Sequence, residues 1–162
     1  MRLLDEQTNI LVVVATDSPY ISEAIEVLAS RRFPVVRLLS DLSAPHLAAY
    51  VGINDRMAGR TAAWAIARCA SLSGSVGILI GSHRYLGQEN REIGFRTYFR
   101  EKAPSFKILE PVVCNDDPEL AFKETSEMLH GSEKLVVLYS ANSARLSGPR
   151  ELATETWCPK GS

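Results

Sequence analysis

Residues 75–99 read SVGILIGSHRYLGQENREIGFRTYF. The run 76–80 is apolar and β-branched, the pattern of a buried strand. Gly81 opens a turn, a polar loop follows, and the next apolar positions recur at helical spacing. Arg91 falls about one turn into that helix, with Gly94 and Phe95 just behind it. In an open parallel sheet, ligands bind in the crevice beyond the carboxyl ends of the strands. A guanidinium one turn into the following helix points toward that crevice, so Arg91 is the first candidate binding residue.

The same strand–helix alternation extends in both directions. Residues 10–15 (ILVVVA) form a continuous apolar run, expected to be a strand buried on both faces. Asp17 or Ser18 can then cap a helix with Pro19 in its first turn. Ile21, Ala24, Ile25, Leu28 and Ala29 repeat along that helix, and Phe33-Pro34 ends it before a strand at 35–39. A third strand, 50–53, runs into Asn54-Asp55 and a helix of about 56–70 with a small-residue face. Beyond the opening stretch come a strand at 106–113, a helix begun by Asp116-Asp117-Pro118, and a strand at 135–139. Pro111 lacks a ladder donor, which predicts an edge position or a bulge. Six strands alternate with four helices, an α/β doubly wound arrangement with parallel crossovers. From 141 to 162 no helical or strand period continues, so that segment reads as an irregular tail or as an interrupted chain.

The bulk composition narrows the function classes. At 162 residues, with 46% hydrophobic and 23% charged, the chain suits one ordinary domain or two small lobes. A net charge of −1 supplies no basic field for nucleic acid. No apolar stretch approaches the roughly 20 residues of a membrane span, and residues 1–15 lack the features of a secretory signal. A cytoplasmic setting without membrane association is the expectation. Cys69, Cys114 and Cys158 have no metal-like spacing and read as small buried hydrophobes.

Catalytic motifs are missing. The first strand ends in ATDSP rather than in a dinucleotide glycine loop. Gly81 and Gly87 have Walker-like spacing, but Gln88-Glu89 stand where Lys and Ser or Thr are required. His46, His83 and His130 share no ligand spacing, and no nucleophile elbow occurs. No catalytic residue, metal site or cofactor is therefore assigned, and an α/β enzyme acting on a nucleotide or phosphate is disfavoured.

Binding residues are better represented. Arg91 either stays solvated or paired with Glu89 or Glu92, or offers planar donors to sugar hydroxyls or carboxylates. Tyr85, in the loop before it, either stacks on a sugar face or covers the helix start. Of Asn54 and Asp55, one is expected to cap the following helix and the other to accept ligand hydroxyls. Asp17 follows the first strand in the same way, as a cap or as a ligand group.

The run PVVRLLSDL…YVGINDRMAGRTAAWAIAR…SVGILIGS…ENREIGFRTYF resembles the effector-binding core of the LacI/GalR transcription regulators, whose fold the periplasmic sugar-binding proteins share. The family pattern is a strand ending V-x-x-D-N with a glycine shortly after, a strand entering a glycine-containing loop, and R-x-x-G-F opening a helix. Here these are Val51 to Asp55 with Gly59, Gly77 to Gly81, and Arg91 to Phe95. The acid–amide order is reversed, Asn54-Asp55 rather than Asp-Asn. The resemblance spans about residues 8–139 and implies a type I periplasmic-binding-protein fold with three-layer parallel sheets, represented incompletely. It implies a first lobe to residue 53 and a second over 54–140. A small-molecule effector, a sugar or sugar derivative, would be clamped between lobes by the arginine matching Arg91. Such regulators work as homodimers and contact DNA only through an N-terminal helix-turn-helix head, for which no residues precede Met1. A fragment of a periplasmic sugar-binding transport protein and a dimerising module without a ligand are the alternatives. An incomplete first lobe would expose a sheet edge, so weak stability or self-association is expected.

Overall fold

In the computed structural model, residues 8–131 and 135–141 are described. They contain, in order, β1 (Leu11–Val13), α1 (Pro19–Ser30), β2 (Val35–Leu38), β3 (Ala49–Val51), α2 (Asp55–Cys69), β4 (Ser75–Ile80), α3 (Leu86–Lys102), β5 (Lys107–Val113), α4 (Pro118–His130) and β6 (Leu135–Ser140). The six strands form two parallel three-stranded sheets, ordered β1-β2-β3 and β5-β4-β6. The described residues group into two compact units, one reaching to Ala62 and including His83–Thr97, the other including Ala63–Ser82 and continuing from Tyr98. The parallel α/β architecture matches the expectation. The 142–162 part of the expected irregular tail lies outside the described residues.

In the first unit, α1 crosses over one face of the sheet. Ser18, in extended conformation, is the cap, its hydroxyl accepting the Ile21 N–H, and Pro19 opens the helix. Ile25 and Leu28 are buried against Val35, Leu42 and Ala44, with Leu11, Val13, Ala15 and Ile21 packed around them. Leu11 and Val35 are ladder partners, as are Val13 and Arg37, so alternate residues face the helix. The other face of β1 behaves differently: Val12 is 51% exposed, and Ile10 and Val14 are also exposed. The expectation of burial on both faces therefore fails for β1. An unbroken apolar run does not show how many sheet faces are covered.

The second unit is built on β4, whose six residues are all buried between β5 and β6. This strand carries the two-sided burial that the unbroken apolar run implied. Leu79, Cys114 and Ala121 form a core with Val112 and Leu120. Asp117 caps α4 by accepting the Glu119 and Leu120 N–H groups, and Pro118 takes the first turn. Pro111 meets both of its expectations. β5 is an edge of its sheet, and the ladder passes from Val76↔Ile108 to Ile78↔Pro111, leaving one extra residue on β5. Phe99 is fully buried, with Phe106 tilted against it at 5.1 Å between ring centroids. Cys114 is buried as expected, whereas Cys69 is exposed at the end of α2.

Candidate functional site

The site assembles in the first unit, where β3 runs into α2 and the start of α3 approaches. Asn54 caps α2: its Oδ1 accepts the Met57 N–H at 3.0 Å and its carbonyl accepts the Ala58 N–H. Asp55 is therefore the first helical residue, and its side chain is only 5% exposed. An ionised carboxylate so buried needs a charged partner. It has one, because Arg91 Nε donates to Asp55 Oδ1 at 2.7 Å. Gly87, in the first turn of α3, lies so close that a Cβ there would stand 3.0 Å from Asp55 Oδ2. The carboxylate thus also meets a helix N-terminus, which favours negative charge.

Two glycines make this meeting possible. A Cβ on Gly59 would overlap the Arg91 carbonyl, and one on Gly94 would overlap the Arg56 carbonyl. Each glycine admits the backbone of the opposite helix, so α2 and α3 cross at contact distance. Gly59 is one turn beyond Asp55, and Gly94 nearly one turn beyond Arg91. The crossing brings the acid and the arginine together. Phe95, next to Gly94, is fully buried.

A second charged cluster comes from β2 and β3. Arg37 interrupts the apolar strand VVRL, and its Nη1 donates to the Asp41 carboxylate and, at 3.2 Å, to the Leu42 carbonyl. Asp41 also accepts the Leu42 N–H at 2.9 Å. The Arg37 guanidinium carbon lies 5.5 Å from the Tyr50 ring centroid, within cation–π range. Gly52 lies under that ring, where a Cβ would meet the phenol. The Tyr50 hydroxyl stands 3.0 Å from the Ile53 carbonyl and 3.3 Å from that of Leu39. Burial, then the carboxylates of Asp55 and Asp41, push the Tyr50 phenol above its ordinary value.

These groups border a cleft of about 400 Å³, lined by Asp41, Tyr50, Asn54, Asp55, Arg56 and Asn90 together with Gly52 and Ile53. Arg56 Nε donates to Asn90 Oδ1 at 3.3 Å across its rim. Two carboxylates, two side-chain amides, a guanidinium and an aromatic ring offer donors and acceptors in the mixture a polyhydroxylated molecule requires. The volume lies in the range of small-molecule pockets. Among the described residues, no three His, Cys, Asp or Glu side chains gather as a metal-binding group.

Of the residues singled out from the sequence, Asn54 and Asp55 line this cleft, whereas Arg91 does not line it and is tied to it through its ion pair with Asp55. Asp17 does not line it. Ser18 takes the capping role, while the Asp17 carboxylate accepts the Ser43 N–H at 2.9 Å and the Ser43 hydroxyl at 2.7 Å, and the Asp17 N–H donates to the Arg84 carbonyl. Tyr85 does not line it either. Its carbonyl receives the Gln88 and Glu89 N–H groups at the start of α3, and its side chain is half-buried. The aromatic ring in the cleft belongs to Tyr50. Sequence reasoning passed over Arg37, Asp41 and Tyr50. The available signal was a lone arginine inside an apolar strand, four residues before an aspartate.

Comparison with known proteins gives a consistent fold. A periplasmic binding protein domain family matches residues 1–152. No curated protein matches the chain by sequence. Among solved structures, a solute-binding protein of an ABC transporter from Agrobacterium vitis, bound to α-D-tagatopyranose, superposes with TM-score 0.77 at 16% identity, covering 85% of this chain and 49% of that one. GanP, a glucose-galactose binding protein from Geobacillus stearothermophilus, gives TM-score 0.75 at 20% identity, covering 83% and 48%. A solute-binding protein from Actinobacillus succinogenes with bound D-allose gives 0.73 at 24% identity, covering 85% and 50%. The chain spans about half the length of these structures.

Proposed function

The chain belongs to the periplasmic binding protein domain family, and we propose that it binds a sugar or sugar derivative reversibly and without chemical conversion in the cleft at Asp55. The observation that carries this reading is the cleft itself. Its carboxylates accept hydroxyl protons, its amides and guanidinium donate, and Tyr50 presents an apolar ring face. The Asp55–Arg91 pair fixes the acceptor rigidly, which reduces the ordering cost of binding.

Two biological settings accommodate such a domain. One is the effector-sensing part of a LacI/GalR-type regulator, cytoplasmic and homodimeric, reaching DNA through a separate helix-turn-helix head. The succession of the three motifs along the chain supports it, although the acid–amide pair Asn54-Asp55 is reversed from the family order. The other is a transport-associated sugar-binding protein. It is supported by the company of solute-binding proteins with bound tagatose and allose.

Titration calorimetry against a panel of monosaccharides and their phosphates tests the binding function. Saturable binding by the wild type, weakened at least about tenfold by Arg91→Ala and by Asp41→Asn, is the expected result. Binding indifferent to both substitutions would remove the site assignment, and no binding across the panel would leave a non-binding module. The coding sequence upstream of Met1 separates the two settings: a helix-turn-helix frame supports the regulator, an export leader the transport protein.

A further inference from the structure

We infer that the cleft selects a sugar derivative carrying an anionic group, a phosphate or a carboxylate, and that Arg56 is the residue that selects it. This rests on the sugar-binding reading above and adds the ligand's charge.

The argument is one of charge balance. The two carboxylates that line the cleft are both matched from within the protein, Asp41 by Arg37 and Asp55 by Arg91. Glu92, the acid that follows Arg91 on α3, is matched by Arg96 at 2.7 Å. Arg56 is the lining cation left over. Its Nε donates to the neutral amide of Asn90, and among the described residues its guanidinium pairs with no carboxylate. A guanidinium carries five N–H donors in a rigid fork, and the Asn90 contact occupies the Nε edge. The terminal nitrogens remain for a ligand, in the geometry that grips two oxygens of a phosphate or carboxylate.

Position reinforces this. Arg56 is the second residue of α2, so its charge adds to the positive end of the helix dipole at the cleft wall. A neutral sugar could use the carboxylates, the amides and the ring, but would leave that net positive charge uncompensated. An ammonium sugar would be repelled. Arg56 is exposed, so it keeps its hydration when the site is empty. Its attraction for an anion is then moderate and weakens with salt.

The test uses the full chain and matched triplets: D-glucose, D-glucose 6-phosphate and D-glucuronate; D-galactose, D-galactose 6-phosphate and D-galacturonate. In at least one triplet, an anionic member should bind about tenfold or more tighter than its neutral parent. The phosphate and carboxylate arms show which anion is preferred. The preference should shrink between about 20 mM and about 300 mM salt. Arg56→Gln should collapse the anionic-to-neutral ratio to about one, and Arg56→Lys should keep part of it. A thermal midpoint of the variants close to wild type confirms that they fold. A neutral parent binding as tightly as both anionic forms, or a preference that survives Arg56→Gln, would overturn the inference while leaving the sugar-binding function intact. Failure of every sugar, neutral and anionic, would overturn both.

Discussion

Gly59 of α2 lies directly against the main-chain carbonyl of Arg91 on α3, and this contact sets the distance at which the Asp55–Arg91 ion pair forms. In a helix interior, Gly→Ala normally gains about 1 kcal/mol from propensity. Here the added methyl would enter the space of a backbone carbonyl, which cannot rotate aside as a side chain can. Forcing extra atoms into a well-packed contact costs about 1–3 kcal/mol, and backbone displacement adds to it. Gly59→Ala should therefore destabilise the protein by about 2 kcal/mol, opposite in sign to the propensity effect. Gly94→Ala, which meets the Arg56 carbonyl, should do the same. Urea unfolding midpoints of the two variants decide it. An unchanged or raised midpoint would mean that the two helices cross with room for a methyl group between them.

The ion pair itself predicts an asymmetry between breaking it and replacing it. Asp55 is almost wholly buried and Arg91 about one-third exposed. Removing the carboxylate strands a guanidinium that has lost its principal acid. Removing the guanidinium strands a buried carboxylate, the costlier of the two. Arg91→Met alone should thus lose about 3 kcal/mol of stability, while Asp55→Leu with Arg91→Met should recover part of that loss. A double-mutant cycle read by denaturant unfolding should show coupling above about 1 kcal/mol. Additive single losses would show that the pair is a neighbour contact with little mutual dependence.

Much of the framework was legible because its signals are local. Alternating apolar runs and capped helices located all ten described elements, and Pro111 announced the edge and bulge of β5. What stayed illegible depends on contacts distant in sequence. Asp55 and Arg91 are 36 residues apart, and no period within either helix reports that they meet. The two motif glycines could be read as marks of the family, but not as mutual seats for opposing carbonyls. The sequence points to Tyr85 for the ring, and nothing local to Tyr50 marks it as the ring of the cleft. Only the glycine under Tyr50 and the arginine over it decide which ring borders the cleft.

The two faces of β1 can be separated by one pair of substitutions. Val12 is half exposed on the uncovered side, whereas Val76 at the centre of the second sheet is completely buried. Val→Thr keeps the shape and exchanges a methyl for a hydroxyl. At Val12 that hydroxyl meets water, so the change in stability should stay within about 0.5 kcal/mol. At Val76 it has to be buried, at a cost of about 1–3 kcal/mol unless it finds a partner. Equal losses at the two positions, measured by thermal unfolding, would mean that the outer face of β1 is covered in solution.

Tyr50 gives the site a pH signature. Its phenol is held above the ordinary value of about 10 by burial first and then by the charges of Asp55 and Asp41, with Arg91 and Arg37 opposing. A phenol is neutral while protonated, so a raised folded-state value means that the native state holds this proton more tightly than the unfolded chain. The resulting stability is fully present below about pH 10 and is lost as pH rises through the higher folded-state value. Between the two values the unfolded chain binds fewer protons than the native one, and stability falls with pH. Tyr50→Phe removes the titration, so its alkaline stability curve should be flatter than that of the wild type. Phenolate absorbance near 295 nm, followed in wild type and Tyr50→Phe, should assign the late-titrating tyrosine by difference. A difference spectrum that titrates at or below about pH 10 would show that Tyr50 is solvated and does not face the two carboxylates.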